Sequence, residues 1–180
     1  EIHIAKEEFQ KLTKKESIKQ TKINFKILYE DEYLLIIDKP PYLASQPGTG
    51  VEEDNVISQA ESYLKNTVYP INRLDRLTSG IMLLAKDRKT ANILYKMSRN
   101  NEIEKYYLAV VKGNIKEKGI IKNYLKRISE DFQHKVIISN EQEGKLAVTE
   151  FKPIKNLKDS TLLELKLKTG RMHQIRTQLS

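Results

Sequence analysis

Residues 73–87 read RLDRLTSGIMLLAKD, a polar loop that runs into an apolar segment. The loop combines two arginines, an aspartate and a glycine, and the run IMLLA that follows predicts a buried strand. Loops at the ends of buried strands commonly carry binding and catalytic groups. The stretch therefore predicts a site at the edge of a sheet, centred on Asp75 between Arg73 and Arg76.

Outward from this loop, the pattern predicts many short strands and few helices. Helical spacing of apolar residues predicts helices over 54–65, with Asp54 or Asn55 as N-cap, and over 89–101. The strand candidates are FKILYE, YLLIIDKP, IMLLAKD, KYYLAVVKG, GIIKNYL, HKVIIS, KLAVTEFKPI and TLLELKLKT. The last has leucines at 163, 165 and 167 on one face and charged residues on the other. The predicted fold class is α+β, with a mixed, mostly antiparallel β-sheet flanked by helices and loops.

The composition excludes several kinds of chemistry. The 180 residues include no cysteine and three histidines (His3, His134 and His173), which excludes disulfides, a Cys/His zinc site and a Cys/His nucleophilic pair. Catalysis must then use oxygen nucleophiles, carboxylates, Tyr, Lys or Arg. The longest apolar runs are far shorter than the roughly 20 residues of a membrane helix, so we expect a cytoplasmic protein without membrane association.

The net charge of +8 is unevenly distributed. Residues 23–71 have three basic and eight acidic side chains, whereas residues 72–106 and 151–180 are clearly basic. This segregation predicts a positive face that attracts polyanions. A lysine-rich solubility surface is the alternative that charge alone leaves open.

Arginine is used sparingly and in two places. Of seven arginines, four fall in two short stretches, as Arg73, Arg76, Arg171 and Arg176. A planar guanidinium suits carboxylates, phosphates and base edges. The flanking arginines favour the charged form of Asp75, which suits a nucleophile or an electrostatic stabiliser. A loop salt bridge, with Thr78 or Ser79 capping the turn, is the structural alternative.

The second arginine stretch, TGRMHQIR at 169–176, follows the amphipathic strand. Gly170 is expected to permit a sharp turn, and a helix is predicted from His173 to Ser180. Arg176 could then direct its guanidinium back over the sheet. The alternative is a helix start with solvated basic residues.

In their order and spacing, four strings resemble the RluA-type RNA pseudouridine synthases. They are YEDEYLLIIDKPPYLASQPG, RLDRLTSGIMLLAKD, KYYLAVVKG and LKTGRMHQIRTQL, and the resemblance extends over residues 25–180. Lys39-Pro40 and the Pro-Gly-Thr-Gly loop are most similar to the RluC/RluD branch. The resemblance implies isomerisation of specific uridines in structured RNA, above all large-subunit (23S) ribosomal RNA, with a tRNA as the alternative substrate.

The resemblance also implies roles for individual residues. Asp75 matches the family's catalytic aspartate, which acts on the ribosyl moiety of the target uridine. Tyr107 matches the tyrosine that stacks on the uracil, Arg176 the basic residue that pairs with the aspartate, and Arg73 the arginine that enters the RNA helix in place of the flipped base. The family usually has His where this chain has Asn72, which makes a proton-transfer role there doubtful.

Three further side chains, Arg76, Arg171 and Gln174, are assigned to RNA binding, with loop support as the alternative for the last two. The reaction needs no cofactor and no metal, and we expect a monomer whose partner is structured RNA. Whether Asp75 forms a ribose adduct, attacks the pyrimidine or abstracts a ribose proton stays open.

The resemblance divides the chain into two parts. Residues 1–22 resemble the end of a preceding α-L RNA-binding module plus its linker, and residues 23–180 resemble a catalytic domain that is incomplete at its C-terminus. Two other functions fit these residues less well. An idle RNA-binding or ribosome-assembly protein has no need for Asp75, Tyr107 and Arg176 together, and a carboxylate-based glycoside hydrolase needs a second carboxyl group that neither arginine stretch supplies.

Overall fold

The structure, a computed structural model, describes residues 23–48, 50–130 and 133–180. The predicted module end and linker at residues 1–22 lie outside the described residues. The chain forms two compact units that divide between Tyr95 and Lys96. The described ranges contain strands that pair antiparallel, and short helices, so the α+β prediction is confirmed. None of the helices in these ranges has the length and apolar character needed to cross a bilayer.

The first unit contains a four-stranded antiparallel sheet and a helix. Its elements are β1 (Lys26–Glu30), β2 (Leu34–Lys39), α1 (Val56–Leu64), β3 (Tyr69–Pro70) and β4 (Gly80–Ala85). The strand order is β1-β2-β4-β3, so β2 and β4 are central. Leu35, Ile37, Met82 and Leu84 on these two strands are fully buried.

Both predicted helices in the N-terminal half are present. Asn55 caps α1, because its Oδ1 accepts from the backbone N–H of Ser58 at 3.0 Å. The second helix, α2 (Arg88–Arg99), spans the division between the units. Asp87 caps it in the same way, accepting from the N–H and the hydroxyl of Thr90 at 2.9 and 2.6 Å.

The second unit contains a five-stranded antiparallel sheet. Its elements are β5 (Lys105–Lys112), β6 (Gly119–Glu130), β7 (Gln133–Ser139), β8 (Lys145–Asn156), β9 (Ser160–Leu167) and α3 (Gln174–Gln178). The strand order is β5-β9-β8-β6-β7. The predicted amphipathic strand is β9, where Leu163, Leu165 and Leu167 are buried and form the centre of the core. Ile175 and Leu179 pack against this cluster from the C-terminal segment.

Three local features differ from the sequence prediction. The described strands form two sheets instead of one. The two-residue strand β3 was not predicted because it is too short to show a periodic pattern, and its Pro70 is tolerated since β3 lies at a sheet edge. The helix predicted from His173 to Ser180 is the shorter α3, because His173 adopts a left-handed backbone with φ of 51°.

Candidate active site

The loop between β3 and β4 carries three of the predicted site residues. Arg73 and Arg76 are exposed, and Asp75 is half-buried between them. The backbone N–H of Thr78 donates to the carbonyl of Asp75 at 3.0 Å, which closes a tight turn directly after the aspartate. The chain enters β4 at Gly80 with φ of +126°, a backbone conformation that a side chain disfavours.

The side chain of Asn72 connects the start of this loop to β4 by two hydrogen bonds. Its Nδ2 donates to the carbonyl of Ile81 at 2.9 Å, and its Oδ1 accepts from the N–H of Leu83 at 2.9 Å. The side chain thus continues the hydrogen bonding of the sheet where the backbone leaves it. An amide performs this task because it offers one donor and one acceptor in a fixed plane.

Lys39 lies at the end of β2 with its side chain fully buried. Its Nζ donates to the carbonyls of Leu43 at 2.8 Å, Pro40 at 2.9 Å and Arg76 at 3.3 Å. Burial lowers the pKa of Lys39, and the negative charge of Asp75 partly offsets that effect. A cation therefore lies close to the aspartate and ties the loop after β2 to the loop that carries it.

Ser45 makes a second connection between the same two loops. Its hydroxyl donates to the carbonyl of Leu74 at 2.6 Å and accepts from the N–H of Leu74 at 3.1 Å. Both residues are buried. The N–H and the carbonyl of Leu74, the residue immediately before Asp75, are therefore both held by hydrogen bonds.

Tyr107 lies on β5 in the second unit, on the face that packs against the leucine cluster of β9. Its neighbour Tyr106 points to the other face, is 52% exposed and donates its hydroxyl to Glu104 at 2.9 Å. The alternation expected for these two tyrosines is thus present. Tyr107 shares its face with Ile175 and Leu179 of the C-terminal segment.

Gln174 is buried, with 2% of its surface exposed, and its amide is saturated by partners within the chain. Its Oε1 accepts from the hydroxyl of Thr169 and the N–H of Arg171, both at 2.9 Å. Its Nε2 donates to Thr149 at 2.8 Å and to the carbonyl of Val148 at 3.2 Å. Of the two predicted roles for Gln174, phosphate contact and loop support, this geometry favours loop support.

The two arginines beside Gln174 are exposed. Arg171 donates from Nε to the carbonyl of Leu146 at 2.9 Å, and Arg176 lies on α3. Gly170, which was expected to permit the turn, has no left-handed backbone, and His173 takes that conformation instead. The turn is held instead by the Gln174 amide, which binds Thr169 and Arg171 on either side of Gly170.

The predicted residues thus form two groups. The first unit holds Arg73, Asp75 and Arg76 on one loop, and the buried amine of Lys39 contacts the Arg76 carbonyl and lies close to Asp75. The second unit holds Tyr107, Arg171, Gln174 and Arg176 on or beside one face of its sheet. Across the described ranges, no three His, Asp or Glu side chains are grouped so that they could hold a metal ion.

Comparison with known proteins adds a decisive observation. A family model described as RNA pseudouridylate synthase matches residues 33–180. The chain belongs to this family. The match contains all seven predicted site residues, and it confirms the family that the sequence motifs indicated.

The chain is also similar to individual members of the synthase family. The chain is 38% identical over 157 residues to ribosomal large subunit pseudouridine synthase C of Buchnera aphidicola subsp. Schizaphis graminum, covering 83% of this chain and 48% of the relative. It is 30% identical over 173 residues to ribosomal large subunit pseudouridine synthase D of Borreliella burgdorferi, covering 90% and 52%. The chain therefore spans about half the length of these curated relatives.

A solved structure of the synthase family has a similar fold. The human RNA pseudouridylate synthase domain containing 4 superposes with a TM-score of 0.68 at 25% sequence identity. The superposition covers 86% of this chain and 63% of the human chain.

Two residues that hold the Asp75 loop, Lys39 and Ser45, were not among the predicted site residues. A signal for Lys39 was present: Leu35 and Ile37 alternate toward the core, and the same alternation points residue 39 inward. A lysine at such a position needs hydrogen-bond acceptors, and the loops at the strand end supply them. No comparable pattern marks Ser45, because its partner Leu74 is 29 residues away.

Proposed function

We propose that this chain carries the catalytic part of an RNA pseudouridine synthase, an isomerase that converts specific uridines in structured RNA to pseudouridine. The observation that supports this most is the family match over residues 33–180, which spans the Asp75 loop and the second arginine stretch. The buried hydrogen bonds that hold this loop add physical support, because catalytic groups must be preorganised.

The proposed substrate is large-subunit ribosomal RNA. It is supported by relatives named for that RNA, including synthases C and D. A tRNA is the second candidate, because the tRNA pseudouridine synthase C of Vibrio parahaemolyticus is 31% identical over 171 residues and is covered over 69% of its length.

The proposed reaction exchanges one glycosidic bond for another. The bond from ribose C1′ to uracil N1 breaks, a bond from C1′ to C5 forms, the C5 proton leaves and N1 gains a proton. No electrons are gained or lost overall. The protein must therefore extrude the nucleotide, retain the detached base and move one proton, and extrusion costs a few kcal/mol of unstacking.

Asp75 is proposed to act on the ribosyl moiety. Its backbone neighbours are held by Ser45 and by Lys39, so the carboxylate can meet the sugar without reorganising the loop. A carboxylate held in this way can act as a nucleophile, as an electrostatic stabiliser or as a base.

The remaining roles follow the resemblance. We propose that Tyr107 stacks on the uracil and assists removal of the C5 proton, and that Arg176 has the role of the family's basic residue that pairs with the catalytic aspartate. Arg73 enters the RNA helix where the flipped base was. Arg76 and Arg171 contact phosphate, which suits exposed guanidiniums. Gln174 positions the turn between Arg171 and Arg176.

The proposal extends to the working state of the protein. We propose a cytoplasmic monomer that uses no cofactor and no metal. Chelators should then leave the initial rate unchanged. An idle RNA-binding protein is the rival, and it differs in requiring no intact carboxylate at position 75.

Tritium release from uridine-5-labelled RNA tests the proposal. Full-length wild-type protein and Asp75→Asn are compared on in vitro transcripts of large-subunit ribosomal RNA and, separately, of tRNA. We expect release by the wild type from the ribosomal transcript and none by the variant. Asp75→Asn should still bind the same RNA, because the carboxylate contributes to chemistry and little to affinity.

Controls separate the rivals. Asp38→Asn removes an exposed carboxylate beside Lys39 and should leave tritium release within about twofold of wild type. Release from tRNA alone would move the substrate assignment to tRNA. RNA binding without release by wild-type protein from either transcript would overturn the enzyme assignment and support the idle binder.

A further inference from the structure

Tyr42 combines two features that seldom occur together. Its backbone is left-handed, with φ of 70°, and its side chain is 72% exposed. A bulky residue in this backbone region is a genuine outlier, because glycine, asparagine and aspartate adopt it at lower cost. The ring therefore stands in solvent on a backbone that favours a different residue.

The loop around Tyr42 is held in place from beneath. The carbonyl of Tyr42 accepts from Nε of Arg76 at 3.1 Å. The carbonyls of Pro40 and Leu43 on either side accept from the buried amine of Lys39 at 2.9 and 2.8 Å. Two consecutive prolines, Pro40 and Pro41, further restrict the approach to Tyr42.

Packing does not account for this residue. A side chain exposed to this extent contributes little buried apolar surface, and the hydrogen bonds of the loop use only its backbone carbonyl. A glycine would satisfy the same backbone without strain. Strain that is maintained by surrounding hydrogen bonds is a feature of ligand-contact sites.

The position of Tyr42 indicates what the ring contacts. Arg76, which holds its carbonyl, immediately follows Asp75 in sequence. The exposed guanidiniums of Arg73 and Arg76 provide positive charge for an RNA backbone beside the same loop. An exposed aromatic ring on a backbone held in this way, next to such charges, is suited to stacking on a base.

We propose that Tyr42 is a stacking platform for a nucleobase of the RNA that flanks the target uridine. The inference rests on the proposed function for its location, but it concerns a residue that the catalytic assignment does not use. The ring presents a flat, low-entropy surface, so RNA binding gains contact without ordering a flexible side chain.

Two substitutions separate stacking from structure. Tyr42→Gly removes the ring and relieves the backbone, whereas Tyr42→Phe keeps the ring and loses only the hydroxyl. We expect Tyr42→Gly to raise KM and Kd for the ribosomal transcript by about 5- to 150-fold, the range for one lost base stack. Its thermal stability should equal or exceed that of wild type, and Tyr42→Phe should bind like wild type.

Tyr33→Gly serves as the matched control. Tyr33 is 52% exposed and lies just before the start of β2. Lys39, which contacts the Asp75 loop, lies at the other end of that strand, so Tyr33 is remote from the loop. It should leave KM and Kd unchanged. Weaker RNA binding by Tyr42→Gly together with lower thermal stability would assign the ring a packing role and overturn the proposal.

A spectroscopic test is independent of catalysis. The 180-residue sequence has no tryptophan, so Tyr42→Trp and Tyr33→Trp each add a new emitter to it. Difference emission against the parent protein should show quenching of the residue-42 tryptophan when the ribosomal transcript is added, and none at residue 33. Unchanged emission at residue 42 with bound RNA would overturn the stacking role, even if wild-type protein proves inactive. Tritium release by wild type with unchanged KM in Tyr42→Gly would overturn it while the proposed function stands.

Discussion

Lys39 occupies a strand position where the alternation of Leu35 and Ile37 would place an aliphatic side chain. A buried ammonium is costly, and its lowered pKa reflects that cost. Three carbonyl acceptors compensate, and all three belong to the loops that surround Asp75. Lys39 thus stabilises the core less than an aliphatic side chain would, but it fixes the geometry of the loops beside Asp75.

Replacing this lysine should damage both stability and activity. Lys39→Met keeps the length of the side chain but leaves three carbonyls without a donor. We expect the free energy of unfolding to fall by about 1–3 kcal/mol. We expect kcat for tritium release to fall more strongly than KM rises, because Asp75 loses its fixed position. Denaturant unfolding and steady-state kinetics measure the two effects.

Lys89→Met is the control for this prediction. Lys89 is exposed in the first turn of α2, so its replacement should change stability by less than about 0.5 kcal/mol. If Lys39→Met were as stable and as active as Lys89→Met, the supporting role of the buried amine would be wrong.

The site was predictable where its signal was local. The motif around Asp75, the cap at Asn55 and the alternation of Leu163, Leu165 and Leu167 depend on neighbours in sequence, and the structure contains the loop, the cap and the buried strand face. The burial of Gln174 and the left-handed backbone of Tyr42 depend on partners 25 to 34 residues away. Such contacts leave no trace in composition or periodicity.

At the scale of elements, the turn before α3 is held by the buried side-chain amide of Gln174 and not by backbone hydrogen bonds of a helix or strand. α3 has five residues and cannot be stable alone. It is held by Ile175 and Leu179 against the β9 cluster and by the amide of Gln174 against β8. The position of Arg176 therefore depends on packing and on one side chain.

Gln174→Ala should loosen this turn. The substitution removes the two hydrogen bonds that the amide donates and the two that it accepts. The hydroxyl of Thr149 then loses a donor, and the N–H of Arg171 loses its acceptor. We expect a loss of about 1–3 kcal/mol in the free energy of unfolding and reduced kcat. Hydrogen exchange should accelerate at Arg171.

Met172→Ala, in the same turn but 37% exposed, provides the comparison. It should preserve both stability and kcat. Equal kcat in Gln174→Ala and wild type would show that Arg176 needs no such support, and it would remove Gln174 from the positioning residues.

Element boundaries were predicted less well than element types. The strand candidates and two helices were placed within a few residues of β1, β2, β4–β9, α1 and α2. The division into two sheets could not be predicted, because pairing between strands distant in sequence is decided by packing. β3 was missed since two residues carry no periodicity.

For the whole molecule, several carboxylates link stability to pH. Hydrogen bonds from Lys86 and Thr90 lower the pKa of Glu30 and Asp87, and Tyr29 and Lys166 do the same for Asp31 and Glu104. A lowered pKa in the folded state means that the unfolded state binds protons more readily. Stability from these groups is present above their ordinary values of 3.8 to 4.5 and is lost as the pH falls below them.

Thermal unfolding as a function of pH tests this link. The unfolding temperature should change little between pH 7 and pH 5 and then fall between about pH 4.5 and pH 3. The double variant Asp31→Asn, Asp87→Asn should show a smaller fall, because two of the titrating groups are absent. An undiminished fall in that variant would contradict the assignment of these carboxylates.

The uneven charge makes a second prediction for the whole molecule. RNA affinity should decrease steeply with salt, because phosphate contacts release counterions. Arg73→Gln should reduce the slope of log K against log salt by about one. Lys26→Gln, an exposed substitution in the acidic segment, should leave the slope unchanged. Equal slopes for both variants and the wild type would remove Arg73 from the RNA contacts.

The buried amine of Lys39 also allows opening of the Asp75 loop to be followed by chemical labelling. Acylating reagents attack neutral, accessible amines, and Lys39 is inaccessible while its three hydrogen bonds are intact. Unlike the exposed lysines, it should be acylated only while the loop is open, so mass spectrometry of that one lysine would compare the open population of the Asp75 loop with and without RNA.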